Sequence, residues 1–325
     1  GTMVLSTMAA YIPFDIIGTA PKASYILLTS EDDSRENPVE MDNWLLAAEF
    51  ADSAGADVIN SSLGYSTFDD AQDDFTYQDM DGNTTIVTKA AEMASRKGIA
   101  VTVSAGNEGT SSWEYITAPA DADSIIAVGA VDSQKNYVGF SSKGPSADGR
   151  IKPDIAAMGR GVTISTSSGL TTSGSGTSFS SPLIAGLTAC LMQARPIYNN
   201  IEVQEKIRKS SSQNWAPDEY LGYGIPNFEL AFYLLVGEEE NMLSSLSVNI
   251  YPNPVKEVLN IEILNGNELN GDLTADLFHM NGKRLERVNI LKEFKNEIPL
   301  DIPSGVYVLR ISGKDTSEVI KKLTG

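Results

Sequence analysis

Between Met41 and Gly55 the apolar side chains Trp44, Leu45, Ala48 and Phe50 recur at helical spacing, and a strand-like run, Asp57-Val-Ile-Asn-Ser-Ser62, follows. The same plan repeats downstream. Ile86, Ala90, Met93 and Ala94 make an apolar stripe within Thr85–Gly98, where Gly98 supplies a helix stop. Ile99-Ala-Val-Thr-Val-Ser-Ala105 and Ser124-Ile-Ile-Ala-Val-Gly-Ala-Val131 are apolar on both faces, as strands covered on two sides should be. Helices alternating with such strands predict βαβ units and an α/β fold built on a mostly parallel sheet flanked by helices. Ligands of such sheets bind beyond the strand C-termini. Chemistry is therefore expected in the loops that follow these strands.

The pattern changes after the apolar, helix-like run Phe228–Val236. Glu238-Glu-Glu-Asn241 is a polar break, and beyond it the segments are short and alternating: Leu246–Ile250, Val258–Ile263, Ala275–Phe278 and Val306–Ile311. Asn253-Pro254, Asn281-Gly282 and Ser304-Gly305 are turn signals between them. The expectation is a first domain over residues 1–237, a linker over 238–245, and a small all-β, Ig-like sandwich over 246–325.

Composition adds exclusions. The chain has 325 residues, 24 basic against 43 acidic, and a net charge of −19. Residues 244–325 hold 10 basic and 11 acidic side chains, so nearly all the acidity belongs to the first domain. That balance argues against nucleic acid as a partner, since phosphate binding draws on clustered Lys and Arg. A single cysteine, Cys190, excludes an internal disulfide and any multi-cysteine metal site, and is expected to be a small buried hydrophobe. There is no uninterrupted apolar stretch of about 18 residues to form a transmembrane segment. His279 is the only histidine.

Three loops carry candidate chemistry. Gly174-Ser-Gly-Thr-Ser-Phe-Ser-Ser-Pro182 leads into a helix expected over Leu183–Ala194, which puts Ser178 near a helix N-terminus, where free N–H groups favour negative charge. Ser104-Ala-Gly-Asn-Glu-Gly109 follows a buried strand and presents the Asn107 amide, a donor that does not titrate. Asn60-Ser-Ser-Leu-Gly64 follows another, with backbone able to pair with an extended peptide.

Gly176-Thr-Ser-x-x-Ser-Pro182, Ser104-Ala-Gly-Asn107 and Ser62-Leu-Gly64 resemble the subtilases, the subtilisin-like serine proteases. Ile126–Asp132, Phe140-Ser-Ser-x-Gly-Pro145, Lys152-Pro-Asp154 and Gly222-Tyr-Gly-Ile-Pro-Asn227 match the same family in the same order, over residues 1 to about 237. The resemblance implies a secreted serine endopeptidase with Ser178 as nucleophile. Its oxyanion hole would be the Ser178 backbone N–H and the Asn107 side chain. Substrate would lie along Ser62, Leu63, Gly64, Ser104, Ala105 and Gly106, with the first specificity pocket between these segments and Thr117 near its floor. Met158 departs from the family's Ala-Pro-Gly. In the family the catalytic histidine precedes Gly-Thr, and Gly-x-Ala-Pro-x-Ala follows. Gly1-Thr2 and Gly18-Thr-Ala-Pro-Lys-Ala23 stand at that spacing, so the resemblance implies an N-terminally truncated domain without the triad His and Asp, inactive alone. The contrasting reading is a non-catalytic subtilase-like module for binding or display on the cell surface.

His279, in Leu277-Phe-His-Met-Asn-Gly282, reads as a partly exposed strand histidine. Around it, Ile250-Tyr-Pro-Asn-Pro-Val255, Met280-Asn-Gly-Lys-Arg284, Pro303-Ser-Gly-Val-Tyr-Val-Leu-Arg-Ile311 and the final Lys321-Lys-Leu323 resemble the C-terminal sorting domain of the type IX secretion system. That likeness implies secretion machinery as a partner and a secreted or outer-membrane, cell-surface place in a Bacteroidetes-type bacterium. The remaining features carry less. Six aspartates between 69 and 81, among them Asp79 and Asp81, offer hard oxygens that could hold a structural calcium, although their spacing is not that of an EF-hand and acidic runs are usually solvated. No other cofactor is implied. Trp113 and Tyr115 could line the substrate groove or pack beneath the Asn107 loop.

Overall fold

The computed structural model describes all residues except 33, 244–247, 264–272, 280–282, 292–294, 314–315 and 325, with backbone only over 237–243, 313 and 316–324. The expected Asn281-Gly282 turn therefore lies outside the described residues, as does part of the expected linker. The chain divides into two compact units, Gly1–Phe232 and Tyr233–Gly325.

The first unit begins with helix α1 (Thr2–Ala9) and a two-residue pair, β1 (Tyr11–Ile12) and β2 (Ile16–Ile17). Its centre is a four-stranded parallel sheet in the order β3 (Val58–Ser61), β4 (Ala100–Ser104), β5 (Ile126–Val131) and β6 (Ile155–Met158). Every residue of β4 and β5 is buried, which is why both read as continuous apolar runs. Helix α2 (Val39–Ser53) precedes β3, and Trp44 on it donates its indole N–H to Ser61 Oγ at 2.9 Å. Helix α3 (Ile86–Arg96) precedes β4, capped by the Thr85 hydroxyl, which accepts from Thr88 N. After β6 come the antiparallel pair β7 (Val162–Ser165) and β8 (Thr171–Gly174).

Helix α4 (Thr177–Ala194) then lies against β3, β4, β5 and β6. It starts six residues before the expected Leu183, because Pro182 sits inside it rather than ahead of it. Proline has no N–H to offer the carbonyl four residues back. That carbonyl is Ser178 O, and the Ser62 hydroxyl donates to it instead at 2.9 Å. Cys190 is exposed, not buried as expected. It lies on α4 with its Sγ 3.6 Å from Thr19 O. Helix α5 (Asn200–Lys209) carries a capping box between Asn199 and Glu202. Helix α6 (Phe228–Leu243) continues through the acidic run 238–240 that reads as a break in sequence.

Among its described residues the second unit holds two antiparallel sheets. One has the order β13 (Lys295–Pro299), β10 (Val258–Ile263), β9 (Val248–Tyr251). The other runs β12 (Arg284–Ile290), β11 (Leu273–His279), β14 (Val306–Gly313), β15 (Thr316–Thr324). Alternate residues Leu259, Ile261 and Ile263 of β10 meet Leu273, Ala275 and Leu277 of β11 in one apolar core, the sandwich expected from the period-two pattern. Opposite that core, Asp276 is wholly covered by arginines. Arg287 grips it at 2.6 and 2.8 Å, and Arg310 reaches it at 3.0 Å. Hydrogen bonds from Arg287 and Arg310 outweigh burial and bring this carboxyl down to about 2. A depressed carboxyl contributes stability above its unfolded value and loses it as pH falls towards the folded one. With the arginines part-exposed, the contribution is on the order of 1–2 kcal/mol. The melting temperature of the second unit should fall as pH drops from about 4 to 2, and Asp276→Asn should flatten that slope in a calorimetric pH series.

Candidate active site

Three chain segments meet beyond the C-terminal ends of β3 and β4: residues 60–64, 104–107 and the first turn of α4. Asn60 joins them. Its Oδ1 accepts from Ser181 Oγ at 2.8 Å, and its Nδ2 donates to Ser62 Oγ at 3.1 Å. Ser62 and Ser178 then bond reciprocally: Ser62 Oγ donates to Ser178 O at 2.9 Å, and Ser178 Oγ donates to Ser62 O at 3.4 Å. Nothing in the sequence motif marks Asn60 as the joint. Only the fold brings 60, 62, 178 and 181 together.

Ser178 is the second residue of α4, half-buried, where the helix has backbone N–H groups with no intrahelical acceptor. Gly176, with φ of +150°, turns the chain into the helix in a conformation that a side chain resists. Asn107 is exposed and sits across this turn. Its Oδ1 accepts from Thr177 N at 2.9 Å and from Thr177 Oγ1 at 3.1 Å. With its oxygen committed to Thr177, the carboxamide has only its NH₂ left to offer beside Ser178.

The two backbone segments on either side of the cleft, 62–64 and 104–106, are tied by Ser104 Oγ to Leu63 O at 3.5 Å. Thr117 lies behind them. Its N–H donates to Ala105 O at 3.2 Å, and the adjoining Ala118 exchanges backbone bonds with Tyr65 at 2.8 and 3.1 Å. All the residues singled out in the three loops and at position 117 therefore fall within one region. His279 belongs to the second unit, on β11, where its ring meets the Tyr307 ring edge-on at 5.9 Å. Residues 1–232 contain no histidine.

Asp79 and Asp81 lie elsewhere. Asp79 Oδ2 accepts from Thr76 N and Thr76 Oγ1, both at 2.7 Å, and Asp81 accepts from Asn83 N and from Thr84 N and Oγ1. Each carboxylate caps its own turn. Trp113 packs against the core and donates its indole N–H to Ile116 O at 3.0 Å, and the Tyr115 ring lies tilted against Tyr77.

One feature of the cleft is invisible in sequence. Beside Leu63 lies an open hollow of about 390 Å³, bordered by Glu31, Asp32, Glu36, Glu40 and Asp69, with Arg35 the one base among the described residues that line it. Glu40 is buried and accepts from Asp32 N and Asn37 N, and Glu31 accepts from the Tyr65 hydroxyl at 2.7 Å. Burial and then the charges of Glu40, Glu31 and Asp69 push the Glu36 carboxyl up. These acids come from two separated stretches with no motif between them.

Comparison with known proteins gives this arrangement its context. The model of the subtilase family matches residues 1–224, and that of the secretion system C-terminal sorting domain matches residues 249–324. Subtilisin DY of Bacillus licheniformis is 33% identical over 71% of this chain and 76% of its own length. Subtilisin E of Bacillus subtilis (strain 168) is 31% identical over 71% of this chain, which spans about half of that protein, 55%. Among solved structures, the patellamide maturation protease PatA aligns with a TM-score of 0.60 and 26% identity over 73% of this chain and 84% of that one. MycP1 from the ESX-1 type VII secretion system, at 20% identity and a TM-score of 0.55, shares the fold over 71% of this chain and 70% of its own. The C-terminal match makes this a secreted or cell-surface protein, and no described helix is long and apolar enough to cross a membrane. The chain belongs to the subtilase family of serine proteases.

Proposed function

We propose that this protein is an endopeptidase that cleaves peptide bonds through an acyl-enzyme on Ser178. The scissile carbonyl sits at the N-terminus of α4. Its oxygen, as it becomes an oxyanion, takes hydrogen bonds from the Ser178 backbone N–H and from Asn107 Nδ2. The observation that carries this reading is the pair of hydrogen bonds that Thr177 N and Oγ1 donate to Asn107 Oδ1, which leaves the amide nitrogen as the end that faces the serine. Substrate extends along Ser62, Leu63 and Gly64 on one side and Ser104, Ala105 and Gly106 on the other. The acyl transfer uses water and no cofactor.

The residues in hand provide nucleophile and oxyanion donors but no base. Ser178 Oγ donates to a backbone carbonyl, which cannot take its proton away. An imidazole from outside residues 1–232 must reach Ser178 for full activity, and residues 1–325 alone should hydrolyse peptides slowly. The C-terminal unit hands the protein to the export machinery of a Bacteroidetes-type bacterium, which places the activity at the cell surface or beyond it.

The test is proteolysis by the full-length protein as its host secretes it. Incubated with an unstructured polypeptide, the wild type should generate new internal N-termini by mass spectrometry, and Ser178→Ala should generate none. Equal cleavage by both would contradict the reading.

A further inference from the structure

Pro182 leaves Ser178 O without the helical N–H that would otherwise meet it, and this carbonyl lies in the turn that presents the nucleophile. Its partner is the Ser62 hydroxyl, 2.9 Å away and 116 residues distant in the chain. A hydroxyl has one hydrogen to give, so something must direct that hydrogen to Ser178 O. Asn60 does so. Its Oδ1 takes the hydroxyl hydrogens of Ser181 at 2.8 Å and, more weakly, of Thr102 at 3.5 Å. The other end of the carboxamide is then Nδ2, which donates to Ser62 Oγ at 3.1 Å and cannot accept in return. The Ser62 hydrogen is thereby turned away from Asn60 and towards Ser178 O.

Asn60 stands on β3, in register with Thr102 of β4, so the relay is anchored on the sheet rather than on a loop. Its far end restrains the nucleophile. Peptide units are planar, so a tie on Ser178 O fixes the plane that follows Ser178. The bond from Thr177 N to Asn107 Oδ1 fixes the plane that precedes Thr177. The peptide between these two carries the Ser178 N–H and is held from both sides. By contrast, the 3.4 Å bond from Ser178 Oγ to Ser62 O is long and readily given up.

We infer that Asn60 is a positioning residue for the reaction: through Ser62 it holds the first turn of α4, interrupted by Pro182, so that Ser178 Oγ and the Ser178 N–H keep the geometry that attack requires. This rests on the nucleophile assignment proposed above. It adds a residue whose own hydrogen bonds go to neither Ser178 Oγ nor Asn107.

The test uses the full-length protein as its host secretes it. Two readouts are taken: the second-order rate at which a fluorophosphonate labels Ser178, and kcat and KM for a peptide substrate. Asn60→Ala should slow labelling and lower kcat by about 10- to 100-fold, the scale of a misplaced reacting group, with KM within about twofold. Ser62→Ala should slow labelling comparably. The double variant should label within about twofold of Ser62→Ala, because both residues act through one relay. Asn60→Asp keeps the size and the acceptor for Ser181, but its second oxygen draws the Ser62 hydrogen to itself. It should label at least as slowly as alanine, whereas a residue needed only for packing would tolerate it. Labelling of both Asn60 variants within about threefold of wild type, a loss confined to KM, or losses that multiply in the double variant would overturn the inference. A wild type that is never labelled removes the nucleophile assignment and the inference together. A labelled wild type with unaffected Asn60 variants removes the inference alone.

Discussion

Asn107→Ala should lower kcat by about 10²–10³, a range set by measurements on a subtilisin, while KM changes little. The split follows from when the donor acts. In the proposed mechanism Asn107 Nδ2 faces charge that exists on the carbonyl oxygen only as the tetrahedral intermediate forms, so its loss falls on the transition state and spares ground-state binding. Alanine also strips Thr177 N and Oγ1 of their shared acceptor, which could disturb the turn that presents Ser178. Asn107→Asp separates the two effects. It keeps an oxygen for Thr177 but replaces the NH₂ with a second oxygen facing the oxyanion. Aspartate should therefore be at least as inactive as alanine. A kcat within about threefold of wild type for both variants would mean that Asn107 is not an oxyanion donor.

Asp154→Ala should destabilise the first unit by about 3–5 kcal/mol. Lys152 and Asp154 are 1% and 5% exposed, and their ion pair measures 2.8 Å. Asp154 uses every acceptor position it has: Lys152 Nζ and Ala127 N on Oδ2, and Arg208 Nε and an Arg208 terminal nitrogen on Oδ1. Lys152 Nζ also donates to Ala122 O at 2.6 Å. Burial alone would raise the Asp154 carboxyl, but Lys152 and Arg208 bring it below the usual carboxylate range. Removing it leaves an ammonium sealed in the interior with its hydrogen bond to the Ala122 carbonyl but without its ion-pair partner. This cluster joins β5, β6 and α5, so its loss should appear as a lower denaturation midpoint at pH 7 with an unchanged denaturant slope. A midpoint equal to wild type would contradict it. The network also accounts physically for the Lys152-Pro-Asp154 signature, which in sequence is only a motif.

What the sequence discloses depends on where the determining contacts lie. β4 and β5 are legible because strands covered on both faces must be apolar throughout, and α3 because Thr85 caps an unbroken stripe. The α5 capping box, Asn199 with Glu202, is a local signal of the same kind that the periodicity reading passes over. The start of α4 is misjudged for a physical reason. A proline usually ends or opens a helix, but here Ser62, 116 residues away, satisfies the carbonyl that Pro182 abandons. Cys190 is misjudged because the outer side of α4 is not covered at that residue. In the site, Ser178 and Asn107 stand in short motifs and Thr117 is placed only by its alignment with the family, whereas the Asn60 joint, the orphaned Thr117 hydroxyl and the acidic hollow beside Leu63 exist only once distant stretches meet.

The central claim is that Ser178 is the nucleophile. The most direct measurement is tandem mass spectrometry of the full-length secreted protein after treatment with a fluorophosphonate. A single adduct on Ser178, lost in Ser178→Ala and slowed in Asn107→Ala, is the predicted result. A protein that cleaves polypeptide while Ser178 remains unmodified would contradict it.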